Sequence, residues 1–240
     1  SEDRPADYAL YNIRYVVAPP DQTPQTFWKL INETKSWKLY EVQTDGYITT
    51  GIRPAIVSSS KENFLNVVRL WIQSDFPKQG LYPELTFDSS YPKNEGLPNF
   101  RMLDEVTYQV PDGTIHNLFS EPPLYIKPDQ TIKECSISSQ KNESDMIFKT
   151  TVEKQGEGEC LIILRQTFHP SWRATIDGKS AQTFSVFPFY TAVELNAQGI
   201  HEVIFSYQPS IFKVTLLLLG VISLGVLLFS FKRRVEAHEG

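Results

Sequence analysis

Residues 214–231 read VTLLLLGVISLGVLLFSF, 18 residues without a charge, and Lys232, Arg233 and Arg234 follow directly. As a helix this run would extend roughly 27 Å, close to the thickness of a bilayer's hydrocarbon core. Ile211 and Phe212 lengthen it behind Lys213, whose aliphatic stem can lie along apolar surface while its charge reaches water. A soluble helix of this length normally keeps a polar stripe, and the run has none. The sequence therefore predicts a transmembrane helix over 210–231 and a tail over 232–240. The three cations place that tail in the cytoplasm and residues 1–209 outside it.

Export needs a signal. Residues 1–20 contain no basic n-region, no apolar h-region and no small-residue cleavage site. Two arrangements remain: a tail-anchored protein with a cytosolic domain, or a chain whose export signal lies upstream. The second is the expectation, because the chain starts at Ser1 and residues 11–17 (YNIRYVV) already read as a strand. The expected location is the cell membrane, with the bulk extracytoplasmic. The bilayer and upstream transmembrane helices of the same protein are the expected partners.

Charge and residue types narrow the function classes. A net charge of −5 argues against nucleic acid, since phosphate binding needs a basic face. Sixteen prolines against twelve glycines, with 12% aromatics, suit a β-rich fold with many turns. His116, His169, His201 and His238 are scattered without ligand spacing, so neither a metal nor a cofactor is expected. Cys135 and Cys160 each fall in a predicted strand. They admit a disulfide in an exported protein, or two isolated buried thiols.

The predicted architecture is an α+β N-terminal portion over 1–128 and an all-β antiparallel sandwich over 129–209, ending in the one transmembrane helix. In the first portion, Pro24 opens a short helix over about 25–33. Strands follow at 37–42, 47–50 and 55–57. Ser59 and Glu62 have capping-box spacing ahead of a helix over 61–73, whose Phe64, Val67, Val68, Trp71 and Ile72 share one face. Residues 75–104 read as loop, and 105–119 as a hairpin around Pro111-Asp112-Gly113. Beyond residue 128, strands are predicted at 131–138, 146–153, 159–167, 172–176, 183–187, 190–195 and 200–207. Asp177-Gly178 marks a tight turn among them.

Two stretches, FHPSWRATIDGK (168–179) and FPFYTAVELNAQGIHEVIFSYQP (187–209), resemble the C-terminal end of YfhO-type bacterial membrane proteins. That group includes proteins described as 6-pyruvoyl-tetrahydropterin synthase-related. Trp172, Ala174, Asp177, Gly178 and Lys179 fit the first family motif. Ala192, Val193, Leu195, Gly199, His201, Val203, Phe205, Tyr207 and Pro209 fit the second. Ser171 stands where Gly is usual, and Ile176 where Val is. YNIRYVVAP is similar to the family's opening extracytoplasmic strand, and Arg53-Pro54-Ala55 fits a further motif with Arg and Pro reversed.

These proteins are large, multi-pass and related to the GT-C glycosyltransferases, which use polyprenyl-phosphate sugars. The resemblance implies that the catalytic carboxylate lies between N-terminal membrane helices outside this chain. The chain would then shape the acceptor side, with a lipid-linked sugar and a cell-envelope glycan acceptor as partners. The alternative is a membrane-anchored carbohydrate- or protein-binding module without catalysis. His169, Trp172, Arg173 and Asp177 are the candidate ligand-binding cluster, combining an aromatic platform with a polar clamp. The same residues suit a plainer reading, which the sequence favours: Trp172 as a core anchor, Asp177 in a turn, and His169 and Arg173 on the surface. No nucleophile motif or phosphate-cradling Gly loop occurs, and no catalytic residue is assigned.

Overall fold

The computed structural model describes residues 3–87, 99–103, 107–109, 114–117, 134–209 and 211–236. The chain divides into two compact units between Ser206 and Tyr207. The first begins with helix α1 (Pro5–Leu10), whose proline sits at its start, where a missing N–H costs nothing. Strands β1 (Tyr15–Ala18), β2 (Lys29–Glu33) and β3 (Lys38–Glu41) form a small antiparallel sheet in the order β1-β3-β2. The segment expected as a helix over 25–33 is thus largely strand. Its Leu30 pairs with Tyr40 across β3, and Trp28 stacks on Tyr40 at 5.3 Å and on Tyr8 at 6.2 Å. Those long-range aromatic contacts outweigh the weak helical preference of a nine-residue stretch.

Next come β4 (Ile48–Gly51), β5 (Ile56–Ser58), α2 (Phe64–Gln73), α3 (Phe76–Gln79), β6 (Glu84–Thr86), β7 (Asn99–Met102), β8 (Thr107–Gln109) and β9 (Ile115–Asn117). Helix α2 follows the predicted apolar stripe: Val67 and Trp71 are fully buried, and the Trp71 indole donates to the Leu81 carbonyl at 3.1 Å. At its start, Ser60 Oγ rather than Ser59 accepts from the Asn63 N–H. The region read as loop over 75–104 holds α3, β6 and β7. Strands β8 and β9 pair antiparallel where the hairpin was expected, with Pro111-Asp112-Gly113 outside the described residues.

The remaining strands are β10 (Cys135–Ser144), β11 (Ile147–Lys154), β12 (Leu161–Thr167), β13 (Trp172–Ile176), β14 (Lys179–Ala181), β15 (Phe184–Val186), β16 (Tyr190–Glu194) and β17 (Gly199–Tyr207). A five-stranded sheet runs β10-β11-β17-β13-β14, and a nine-stranded sheet runs β4-β12-β16-β15-β6-β5-β7-β8-β9. Sequence-distant strands interleave in the larger one: β12 pairs with β4 through Leu161↔Gly51 and Leu164↔Ile48. Gly51 is required at that seam, because a Cβ there would lie 2.6 Å from the Tyr82 ring and 3.0 Å from the Gly80 carbonyl oxygen. The main core, with Trp71, Leu81, Val57, Ile163 and Phe187, lies between α2 and this sheet.

The expected fold class is corrected on two counts. An α+β portion followed by a separate sandwich does not describe the chain, which is mostly β in three sheets, the largest built from strands on both sides of residue 128. Pairing of β12 with β4 and of β15 with β6 joins the two halves, and local periodicity carries no information on such partners. The expected transmembrane helix is not supported either: among the described residues, no helix is long and apolar enough to cross a membrane. The second unit is helix α4 (Ile211–Glu236). It runs on through Lys232, Arg233 and Arg234, so these cations lie within the helix instead of following it. Arg, Lys and Glu are good helix formers, which explains the continuation.

Candidate functional site

The residues singled out from the sequence lie on β13 and its flanks, and they do not converge. Strand alternation buries Trp172 against Phe148, with ring centroids 5.9 Å apart, and turns Arg173 outward. The Arg173 guanidinium donates to the Pro170 carbonyl at 3.0 Å, and His169 Nδ1 accepts from the Ser171 N–H at 3.0 Å. Asp177 and Gly178 form the β13–β14 turn, with φ +51° and +77°. Cys135 and Cys160 are joined in a disulfide.

Asp177 also reaches across to β17. Its Oδ2 lies 2.7 Å from His201 Nδ1, and its Oδ1 accepts the Glu202 N–H at 2.9 Å. The bond from His201 holds the Asp177 carboxyl below its usual value, and the same bond raises the imidazole above its usual value of about 6.5. The raised histidine stabilises the fold fully below that ordinary value, and the contribution is lost as pH rises through the folded value. The depressed aspartate contributes above its ordinary value and loses this as pH falls through the folded one. An NMR titration should place the His201 midpoint above 6.5, and Asp177→Asn should return it towards 6.5.

A stronger charge cluster surrounds Arg53, ahead of β5. Its Nε donates to Glu159 Oε1 at 2.9 Å, its Nη1 to Glu84 Oε2 at 2.8 Å and its Nη2 to Glu194 Oε2 at 2.7 Å. The Arg53 N–H takes the second Glu159 oxygen at 3.1 Å, and Phe184 lies under the guanidinium at 4.8 Å. Burial opposes the arginine charge, but the hydrogen bond to Glu84 and the surrounding carboxylates outweigh it. Burial raises the Glu159 carboxyl in spite of Arg53. With its donors shared among three carboxylates, this cluster is a clamp: it ties the start of β5 to β6, to the end of β16 and to the residue before Cys160. Among the described residues no group of His, Cys, Asp and Glu is arranged to hold a metal.

The opposite ends of the same strands form a crevice. Strand β5 pairs in parallel with β6 on one side (Ser58↔Thr86) and with β7 on the other (Ser58↔Arg101). The chain leaves β5 into α2 and returns through α3 to β6, while β7 flanks the far edge. The crevice lies beyond the carboxyl ends of these three parallel strands. The crevice measures about 370 Å³. Ser58 to Ser60, Asn63 and Arg101 supply its polar lining, and Phe87, Met102 and Leu103 its apolar lining. Phe87 is 40% exposed, and its inner edge is fixed by Phe64 at 5.5 Å and Phe189 at 5.9 Å. Two of the serine hydroxyls are engaged within the chain, Ser59 with the Ser60 carbonyl and Ser60 with the Asn63 N–H. The Asn63 amide and the Arg101 guanidinium beside an aromatic face are therefore what suit a polyhydroxylated ligand: the polar groups take its hydroxyls and the ring its C–H face. Sequence reasoning missed this site. The run IVSSSKENF displayed a strand, a serine cluster and a helix start, but reading 75–104 as loop concealed both parallel partners of β5.

No family model, no curated protein and no solved structure matches this chain.

Proposed function

We propose that the chain works outside the cytoplasm as a saccharide-binding region, shaping the acceptor side of a glycosyltransferase-like parent and contributing no catalytic residue. The observation that carries this reading is the crevice at the carboxyl ends of β5, β6 and β7, with Phe87 beside Ser60, Asn63 and Arg101. Two others support it. The Cys135–Cys160 disulfide fits an oxidising compartment. The resemblance of 168–209 to YfhO-type proteins favours a sugar over other polar ligands.

The test is thermal unfolding of the full chain in the presence of glucose, galactose or N-acetylglucosamine. At a hundredfold excess over its dissociation constant, a bound sugar adds about 2.7 kcal/mol and raises the midpoint. At least one sugar should do so. Phe87→Ala and Asn63→Ala should each abolish the shift, and Phe87→Ala should also lower the unliganded midpoint because its ring packs on Phe64 and Phe189. No shift with any sugar, or a shift retained in both variants, would overturn the reading.

A further inference from the structure

A second cavity, of about 210 Å³, lies beside α1, on the β4–β12 side of the first unit. Its charged lining is Arg4, Asp7, Asp45, Lys78 and Arg165, with Tyr82 among the uncharged polar residues beside them. Arg4 and Asp7 hold each other in a fork of 2.9–3.1 Å bonds at the rim. The informative residue is Arg165, on β12. Its side chain is only 5% exposed, yet its charge is poorly matched. Nη1 donates to the Gly46 carbonyl at 3.0 Å. Nη2 stands 3.9 Å from Asp45, whose side chain is 80% exposed, so that pair is weak. Nε is buried and has no acceptor among the described residues.

Nε and Nη2 form the side-on edge of a guanidinium, two parallel donors spaced for the two oxygens of one planar carboxylate. Arg53 shows the contrast within the same chain: three carboxylates satisfy its Nε, Nη1 and Nη2, whereas Arg165 has none within hydrogen-bonding distance. Leaving a buried charged donor unpaired is unfavourable, and an anion reaching this edge removes the deficit. Arg165 favours a negative ligand, Arg4 and Asp7 offset each other, Lys78 is paired with Asp75 at 2.9 Å, and Asp45 is the competing charge. The volume suits a ligand no larger than a monosaccharide.

We propose that this cavity is a binding site for a small carboxylate, of the size of a uronic acid, held side-on by Nε and Nη2 of Arg165. The site is separate from the crevice at β5–β7 and stands or falls independently of it.

The test follows the Arg165 Nε–H resonance of the full, isotope-labelled chain by NMR during titration with glucuronate, glucose or inorganic phosphate. Glucuronate should shift that resonance saturably, as a new charged acceptor would. Glucose should not, and phosphate, which a guanidinium also grips with two parallel bonds, should bind more weakly because it leaves most of the sugar-sized cavity unfilled. Arg165→Lys keeps the charge but loses the fork, and should weaken glucuronate binding about tenfold or more, read from the Tyr82 backbone amide. Should that variant fail to fold, Asp45→Asn supplies the check: removing the competing carboxylate should tighten binding severalfold. A glucuronate response no larger than that of glucose would overturn the proposal. So would phosphate binding as tightly as glucuronate, or glucuronate affinity unchanged in Asp45→Asn. Glucose acting only on Phe87 and Asn63 would leave the crevice reading intact while this one failed.

Discussion

Replacing Arg53 by Ala should lower the unfolding free energy by about 3–5 kcal/mol, because it strands Glu84, Glu159 and Glu194 around a vacated cation position. The Arg53 side chain is only 10% exposed, so water cannot readily take its place. Met at the same position should rescue little, since the lost term is charge compensation rather than volume. Adding Glu159→Gln to the Ala variant should recover part of the loss. The variant should also be least impaired at acid pH. Without the guanidinium the carboxyls hold their protons more tightly in the folded state, and groups raised in this way gain stability as pH falls towards their unfolded values. In the intact protein Glu159 already follows that sign, its burial raising it above an ordinary carboxyl. Urea denaturation at pH 7 and pH 5 measures both effects. A loss under about 1 kcal/mol at pH 7 would mark the cluster as a set of solvated surface pairs.

Removing the disulfide should cost about 3.5 kcal/mol, the chain-entropy value for a closed loop of 25 residues. Cys135 opens β10 in the five-stranded sheet, and Cys160 immediately precedes β12 in the nine-stranded one, so the bond staples two sheets. Residues 136–159, between them, carry nearly all of the β10–β11 hairpin. Both sulfurs belong to buried residues, 8% and 1% exposed, so a Cys→Ser pair also leaves two hydroxyls without solvent. Calorimetry with and without reductant should show the reduced protein unfolding several degrees lower. Coincident transitions would mean that the bond adds nothing to the native state.

What the sequence disclosed follows the range of the forces involved. From Cys135 to Tyr207 the strands other than β14, which was not expected, lie near their expected positions, because alternation such as IFKTTVEK, buried at every second residue, encodes a half-buried strand locally. Helix α2 was legible for the same reason. Partners were not: nothing in YITTG or LIILRQT announces that β4 and β12 pair. Without that pairing the two halves read as separate domains. The sequence offers Trp172 as a sugar platform or, more readily, as a core anchor, and its inward position on β13 makes it core. Arg53 appeared only within a short motif, since a cluster assembled from positions 53, 84, 159 and 194 has no sequence spacing to detect. The crevice was hidden likewise. Its serines are adjacent in sequence, but Phe87, just past β6, and Arg101, on β7, come from a proline-rich segment that did not advertise its strands.

The crevice at the ends of β5, β6 and β7 is the centre of the functional account, and residue-resolved NMR of the full chain with a bound sugar examines it most directly. The account predicts saturable shifts concentrated at Ser58, Ser60, Asn63, Phe87 and Arg101, with β13 and its Asp177-Gly178 turn unaffected. Shifts centred instead on His169, Trp172 and Arg173, or spread without saturation over the surface, would contradict it.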